Sequence, residues 1–168
     1  MSESFSSRLH RWYFNFFPAY RGTGGRIAYL AHDFREIRVR IPLSRRTRNY
    51  VGTIFGGSMY AAVDPVYMVM LIRNLGPRYQ VWDKAATIRF RKPGRGTLYA
   101  RMVLDQQELD DIMAALEASP STERVYDIEL ADELGVVHAH VRKTLHIRKR
   151  DAVAEVARTD ARTREATS

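Results

Sequence analysis

The sequence predicts an α+β protein in which antiparallel strands wrap one long apolar helix. Three observations carry this. Residues 54–72 are almost wholly apolar, and Asp64 is the one charged side chain among them. A helix apolar on every side is expected where protein covers every side. The segments after it alternate polar and apolar residues with a period of two, the pattern of strands with one wet face. The regular β-α-β-α order of a parallel sheet is absent, as are internal repeats.

The elements follow in chain order. Phe5 to Tyr20 mixes Phe5, Leu9, Trp12, Tyr13, Phe14, Phe16, Phe17 and Tyr20 with Arg8, His10 and Arg11. It reads as an amphipathic helix ended by Pro18, packed on its own domain or on a partner subunit. Its basic and aromatic residues also suit a membrane surface. Gly22 to Gly25 is a turn, and Arg26 to Leu43 reads as two strands broken near His32-Asp33. Ile37, Val39, Ile41 and Leu43 face inward there, against Arg38 and Arg40. Residues 44–50 form a basic loop. The central helix comes next.

After it, residues 81–92 read as a strand with Ala86, Ile88 and Phe90 on one side. A turn at Pro93-Gly94 leads to a strand with Leu98, Ala100, Met102 and Leu104 inward. Residues 105–119 read as an acidic surface helix that buries Leu109, Ile112, Met113 and Leu116. Strands over 125–130 and 136–147 finish the sheet, the second with Val137, Ala139, Val141, Leu145 and Ile147 toward the core. The expected domain layout is an N-terminal amphipathic helix over 1–20, the main domain over 21–149 and a frayed tail over 150–168.

Composition narrows the chemistry. The chain has 168 residues, 45% hydrophobic and 27% charged, which fits one globular domain. It has no cysteine, which excludes disulfides, iron–sulfur clusters, Cys-type zinc sites and a cysteine nucleophile. No secretory signal is read at the N-terminus, so a cytoplasmic protein is expected. No cofactor and no metal is expected. His138, His140 and His146 alternate onto one face of the last strand, which reads as a solvated or subunit-contact face. Asp83 and Lys84 read as a surface pair. The net charge of +8 is uneven: residues 1–50 hold ten Arg against Glu3, Asp33 and Glu36, a surplus of +7.

Candidate chemistry centres on the helix. Asp64 has no basic residue within four positions, and burying a lone carboxylate is costly. It is therefore expected to face a cleft, a water or another chain, or else to bond the backbone beside Pro65. Gly56 and Gly57 at the helix start leave room for a ligand near backbone N–H donors. Asp64 lies seven residues after Gly57 and so on the same helix face. A carbonyl polarised at the helix start and a carboxylate along the same face suit attack by water on an ester-like bond. A transmembrane reading of the apolar run is opposed by Asp64, Pro65 and the glycines.

These residues resemble the hotdog-fold thioesterases. The family pattern is Asn, then Gly, then His-Gly-Gly, then an acid seven residues after the second Gly. Asn49, Gly52, Gly56, Gly57 and Asp64 fall in step, and Phe55 stands where the pattern has His. The run Gly52 to Ser58 followed by Asp64-Pro65, with 81–85 and 90–93, is similar to a branch of tetrameric acyl-CoA thioesterase-like proteins, otherwise labelled a domain of unknown function.

The resemblance implies hydrolysis of an acyl-CoA thioester at a site between subunits of a homodimer or dimer of dimers. By position, the Gly57 N–H polarises the carbonyl, and Asp64 of a partner subunit activates water or attacks directly. Asn49 helps to hold the water or the carbonyl. Phe55, Gly56 and Ser58 line the pocket. Lys84, Arg89, Arg91 and Lys92 read either as a set that meets CoA phosphates or as an ordinary wet strand face. Positive charge near this site then needs no nucleic acid to explain it. A non-catalytic acyl-ligand-binding module is the alternative. A nucleic-acid binder, suggested by Arg45, Arg46 and Arg48, lacks any recognition motif.

Overall fold

In a computed structural model, which describes residues 4–150, the chain forms six strands and five helices among those residues. Helix α1 spans Phe5–Phe16 and α2 Pro18–Gly22. Strands β1 (Arg26–Leu30) and β2 (Glu36–Ile41) lead to α3 (Gly56–Val63) and α4 (Val66–Leu75). Then come β3 (Tyr79–Phe90), β4 (Leu98–Val103), α5 (Gln106–Ala118), β5 (Ser121–Ala131) and β6 (Val137–Lys149). The strands form one antiparallel sheet in the order β1-β2-β4-β5-β6-β3. The tail expected over 150–168 lies, from residue 151 on, outside the described residues.

The core fills the space between the sheet and α3–α4. Ala62, Val63, Met70 and Leu71 of the helices pack there with Ile37, Ile41, Leu98, Met102, Ile128, Val141 and Leu145, all fully buried or nearly so. Burial alternates along β2, β4 and the second half of β5, as a sheet with one wet face requires. Asp105 caps α5 by accepting from the Glu108 N–H at 2.8 Å, and Leu109, Ile112 and Leu116 are buried beneath it.

Three boundaries differ from the sequence reading, each for a local reason. The N-terminal segment is two helices, because Pro18 occupies the first turn of α2, where its missing N–H costs nothing. The central helix is split at Asp64-Pro65: α3 ends there and α4 starts afresh, as a proline without an N–H dictates. β3 carries a bulge between Asp83 and Ala85. The extra residue, Lys84, shifts the alternation, so Tyr79 and Val81 are buried before it whereas Ile88 is the half-buried residue after it.

Strand β1 is one edge of the sheet and β3 the other. Along the β1 edge, Asn15 of α1 donates to the Ile27 carbonyl at 3.0 Å and accepts from the Ile27 N–H at 2.9 Å. This clamp satisfies both backbone groups of an edge residue. Among the described residues no helix is long and apolar enough to cross a membrane.

Candidate active site

The loop before α3 is built by Asn49. Its side-chain oxygen accepts from the N–H groups of Val51 (3.1 Å) and Thr53 (2.9 Å), and its amide donates to the Thr53 hydroxyl at 2.9 Å. The turn needs Gly52, whose φ of 83° is open to few side chains. The Asn49 side chain thus holds the loop together through both its oxygen and its amide. The loop then pairs with its surroundings through Phe55 N–H to Thr47 O (2.6 Å) and Ile54 N–H to Gly94 O (2.9 Å). These bonds fix where α3 begins.

At that beginning no side chain caps the helix. The first N–H groups of an α-helix have no partner within it, so an uncapped start is a cluster of donors with partial positive charge. Gly57 is exposed there, and Ser58 is buried. Two rings lie close over the glycines. A methyl group on Gly56 would sit 2.6 Å from Cζ of Phe90, and one on Gly57 would sit 2.3 Å from Cε1 of Phe55. The space read as room for a ligand is therefore partly filled by the protein's own aromatic side chains.

Beside the helix start is an open cavity of about 350 Å³, bordered by Asn49, Gly56, Met59, Phe90, Arg91 and Lys92. It brings together four of the expected site residues. Lys84 is not among them. It lies seven residues before Arg91, about 23 Å along an extended chain, and forms an ion pair with Glu123 of β5. That pairing holds the Glu123 carboxyl below its ordinary range, chiefly through the Lys84 hydrogen bond.

Asp64 marks the other end of α3, and it is not a lone carboxylate. Its Oδ1 accepts from the Tyr60 hydroxyl at 2.7 Å and from Nζ of Lys143 at 2.8 Å. The same ammonium donates to the Asp64 backbone carbonyl. Oδ1 of Asp83 lies 2.8 Å from it as an ionic contact outside hydrogen-bonding alignment. Lys143 is 0% exposed, whereas the Asp64 side chain is 38% exposed. Burial, and then the adjacent Asp64 carboxylate, raise the Tyr60 hydroxyl above its ordinary pKa, so it stays a donor. Asp83 thus pairs with Lys143 rather than with its chain neighbour Lys84, because successive strand residues point to opposite faces.

Lys143 is the candidate-site residue that the sequence reading did not single out. Its signal was there: the inward positions of β6 read Val137, Ala139, Val141, Lys143, Leu145, Ile147, a single base in an apolar register. A buried ammonium needs paired carboxylates. His138 departs from the solvated reading too. It is buried, with Nε2 at 3.0 Å from Asp132 and Nδ1 at 3.1 Å from the Pro93 carbonyl. It ties the turn after β3 to the β5–β6 turn. His140 is half-buried 3.5 Å from Asp127, and His146 lies against the Trp82 ring.

Comparison with known proteins matches this geometry to a fold and a family. A protein of unknown function from Pseudomonas aeruginosa, called a probable thioesterase, superposes with a TM-score of 0.75 at 21% identity, covering 85% of this chain and 95% of that one. A thioesterase from Haemophilus influenzae gives 0.63 at 16% identity over 88% and 93%. A mutant thioesterase from Pseudomonas aeruginosa gives 0.64 at 14% over 84% and 94%. No curated protein matches the sequence. At these identities the likeness shows the fold, which is the hotdog fold. The family model described as a domain of unknown function, DUF4442, matches residues 6–147, and the chain belongs to that family.

Proposed function

We propose that the protein hydrolyses an acyl-CoA thioester at a site assembled from two copies of the chain. The observation that carries this is the arrangement of α3: an uncapped, glycine-led start at one end and a part-exposed, firmly held carboxylate at the other. Gly57 and Asp64 are seven residues apart, about 10 Å along the helix. One copy therefore does not bring both to one carbonyl, and a second copy would supply the missing half. β3 supports a second copy. It is an edge strand, and residues 84–90 are exposed apart from half-buried Ile88, with its outer backbone edge unpaired by any described strand.

In this mechanism the Gly57 N–H would hold the thioester carbonyl oxygen as it gains charge. Asp64 of the other copy takes a proton from water, and the hydroxide adds to the carbonyl carbon. The tetrahedral intermediate collapses, the carbon–sulfur bond breaks, and the thiolate leaves with the proton from Asp64. Lys143 and Tyr60 fix the carboxylate, so both are positioning residues. Arg91 and Lys92, beside the helix-start cavity, would meet phosphates of the CoA group. Asn49 contributes by shaping the loop. The proposed assembly is a dimer or dimer of dimers, and the proposed setting is the cytoplasm.

The Phe55 ring against Gly57 favours a second reading, a module that binds an acyl ligand without cleaving it. Release of free CoA from a panel of acyl-CoAs separates the two. Hydrolysis is expected for the unmodified protein, with a loss of about 10²–10⁴-fold in Asp64→Asn. Tight binding with no CoA release from any member of the panel would support the binding module instead.

A further inference from the structure

Helix α1 turns its largest apolar side chains away from the protein. Phe5, Leu9, Trp12 and Phe16 fall at i, i+4, i+7 and i+11, one stripe of a helix. They are 83%, 57%, 57% and 52% exposed. The opposite side holds α1 to the domain: Ser7 is buried, Phe14 packs on the core, and Asn15 clamps Ile27. So the amphipathic character of this helix is not spent on its own core. A contiguous row of exposed apolar side chains marks an interaction surface.

Charge indicates what covers it. The stripe forms one wall of a groove of about 750 Å³ whose far wall is the β1–β2 edge. Arg8, Arg26 and Arg40 line this groove, and none of its lining residues is acidic. Arg26 and Arg40 stand directly opposite each other across β1 and β2, an arrangement that repels unless anions lie over it. The basic surface continues: Arg26 also borders a second hollow with Arg21, Arg45 and Arg46.

We propose that α1 and the β1–β2 edge dock the protein onto the surface of an anionic lipid bilayer. The helix would lie in the plane of the interface, with Phe5, Leu9, Trp12 and Phe16 among the upper acyl chains. Arg8, Arg26 and Arg40 would then meet lipid phosphates. Twelve residues of helix are about 18 Å long, enough to lie on a bilayer and too short to cross it. A second copy fits less well, because a two-fold contact would set this acid-free basic lining against itself. A nucleic acid fits less well because Leu9, central in the stripe, has no ring to stack on a base. The docking edge is β1, at the far end of the sheet from β3, so it does not compete with pairing along β3.

The test is co-sedimentation of the full chain with vesicles of phosphatidylcholine alone and of equal parts phosphatidylcholine and phosphatidylglycerol. The protein is expected to pellet with the anionic vesicles, to stay in solution with the neutral ones, and to be released by high salt. Leu9→Ser with Trp12→Ser, and separately Arg26→Glu with Arg40→Glu, are each expected to weaken binding at least tenfold. All four positions are exposed, so thermal melting should not change. No binding to anionic vesicles, or equal binding by the stripe variant, overturns the proposal. So does a stripe variant that falls to a smaller assembly in the absence of lipid, or RNA binding that the stripe variant leaves intact while lipid binding is absent.

Discussion

The two ends of α3 are built by opposite means. At its start, backbone donors are left uncapped and two rings lie over glycines: Phe55 on Gly57 and Phe90 on Gly56. At its end, Asp64 and Asp83 pair with a fully buried Lys143, and Tyr60 hydrogen-bonds to Asp64. Both rings are more than half exposed, so the rings can turn while the backbone beneath them is held. The second end is anchored from α3, β3 and β6 together. The proposed site, which would admit a bulky acyl group and still hold a carboxylate steady, would use this asymmetry. The difference also places the two chemical parts two helical turns apart, which is why a second copy enters the proposal.

The cluster end should respond most strongly. Asp64→Asn with Asp83→Asn leaves the Lys143 ammonium buried without a carboxylate, expected to cost about 3–5 kcal/mol in chemical denaturation. Asp64→Asn alone keeps Asp83 at 2.8 Å as a partner, so its fold should hold while turnover falls. If the single and double variants lose stability equally, the three-way cluster is wrong.

Lys143→Met comes next. It removes what fixes the carboxylate, and a small misplacement can cost about a hundredfold in rate. Expected is a fall of about ten- to a hundredfold in kcat with KM held, and a smaller fall in Lys143→Arg. A change confined to KM would remove Lys143 from the positioning role. The smallest effect belongs to the helix start. Gly57→Ala places a methyl 2.3 Å from Phe55, whose exposed ring can swing aside. The cost in stability should stay under about 1 kcal/mol. A larger loss would mean that the helix start is as rigid as its end.

Much of this was legible in the residues, and the exceptions have physical causes. The succession of strands along the chain, the inward set Leu98, Ala100, Met102 and Leu104, and the α5 face follow from periodicity, because burial on one face imposes it. The Asn49 to Asp64 spacing located the candidate site. The partner of Asp64 was not legible from local spacing, since Lys143 is 79 positions away and only the folded sheet brings it near. Nor was the cover over the glycines. A glycine covered by a ring and one left open to a ligand look alike in sequence. The Lys84 bulge reset the alternation of β3 beyond it, and Lys84 itself lies too far along the strand to join Arg91 and Lys92, pairing instead with Glu123.

The most direct measurement mixes two inactive variants. Asp64→Asn lacks the carboxylate, and Gly57→Val blocks the helix-start donors. Each alone should be inactive, with circular dichroism confirming that each is folded. If Gly57 of one copy works with Asp64 of the other, random pairing gives half mixed dimers, each with one intact site. Activity should then return to about a quarter of the unmodified level, as two-fold symmetry requires. Should mixing restore no activity while mixed dimers are shown to form, the two-copy site would be contradicted.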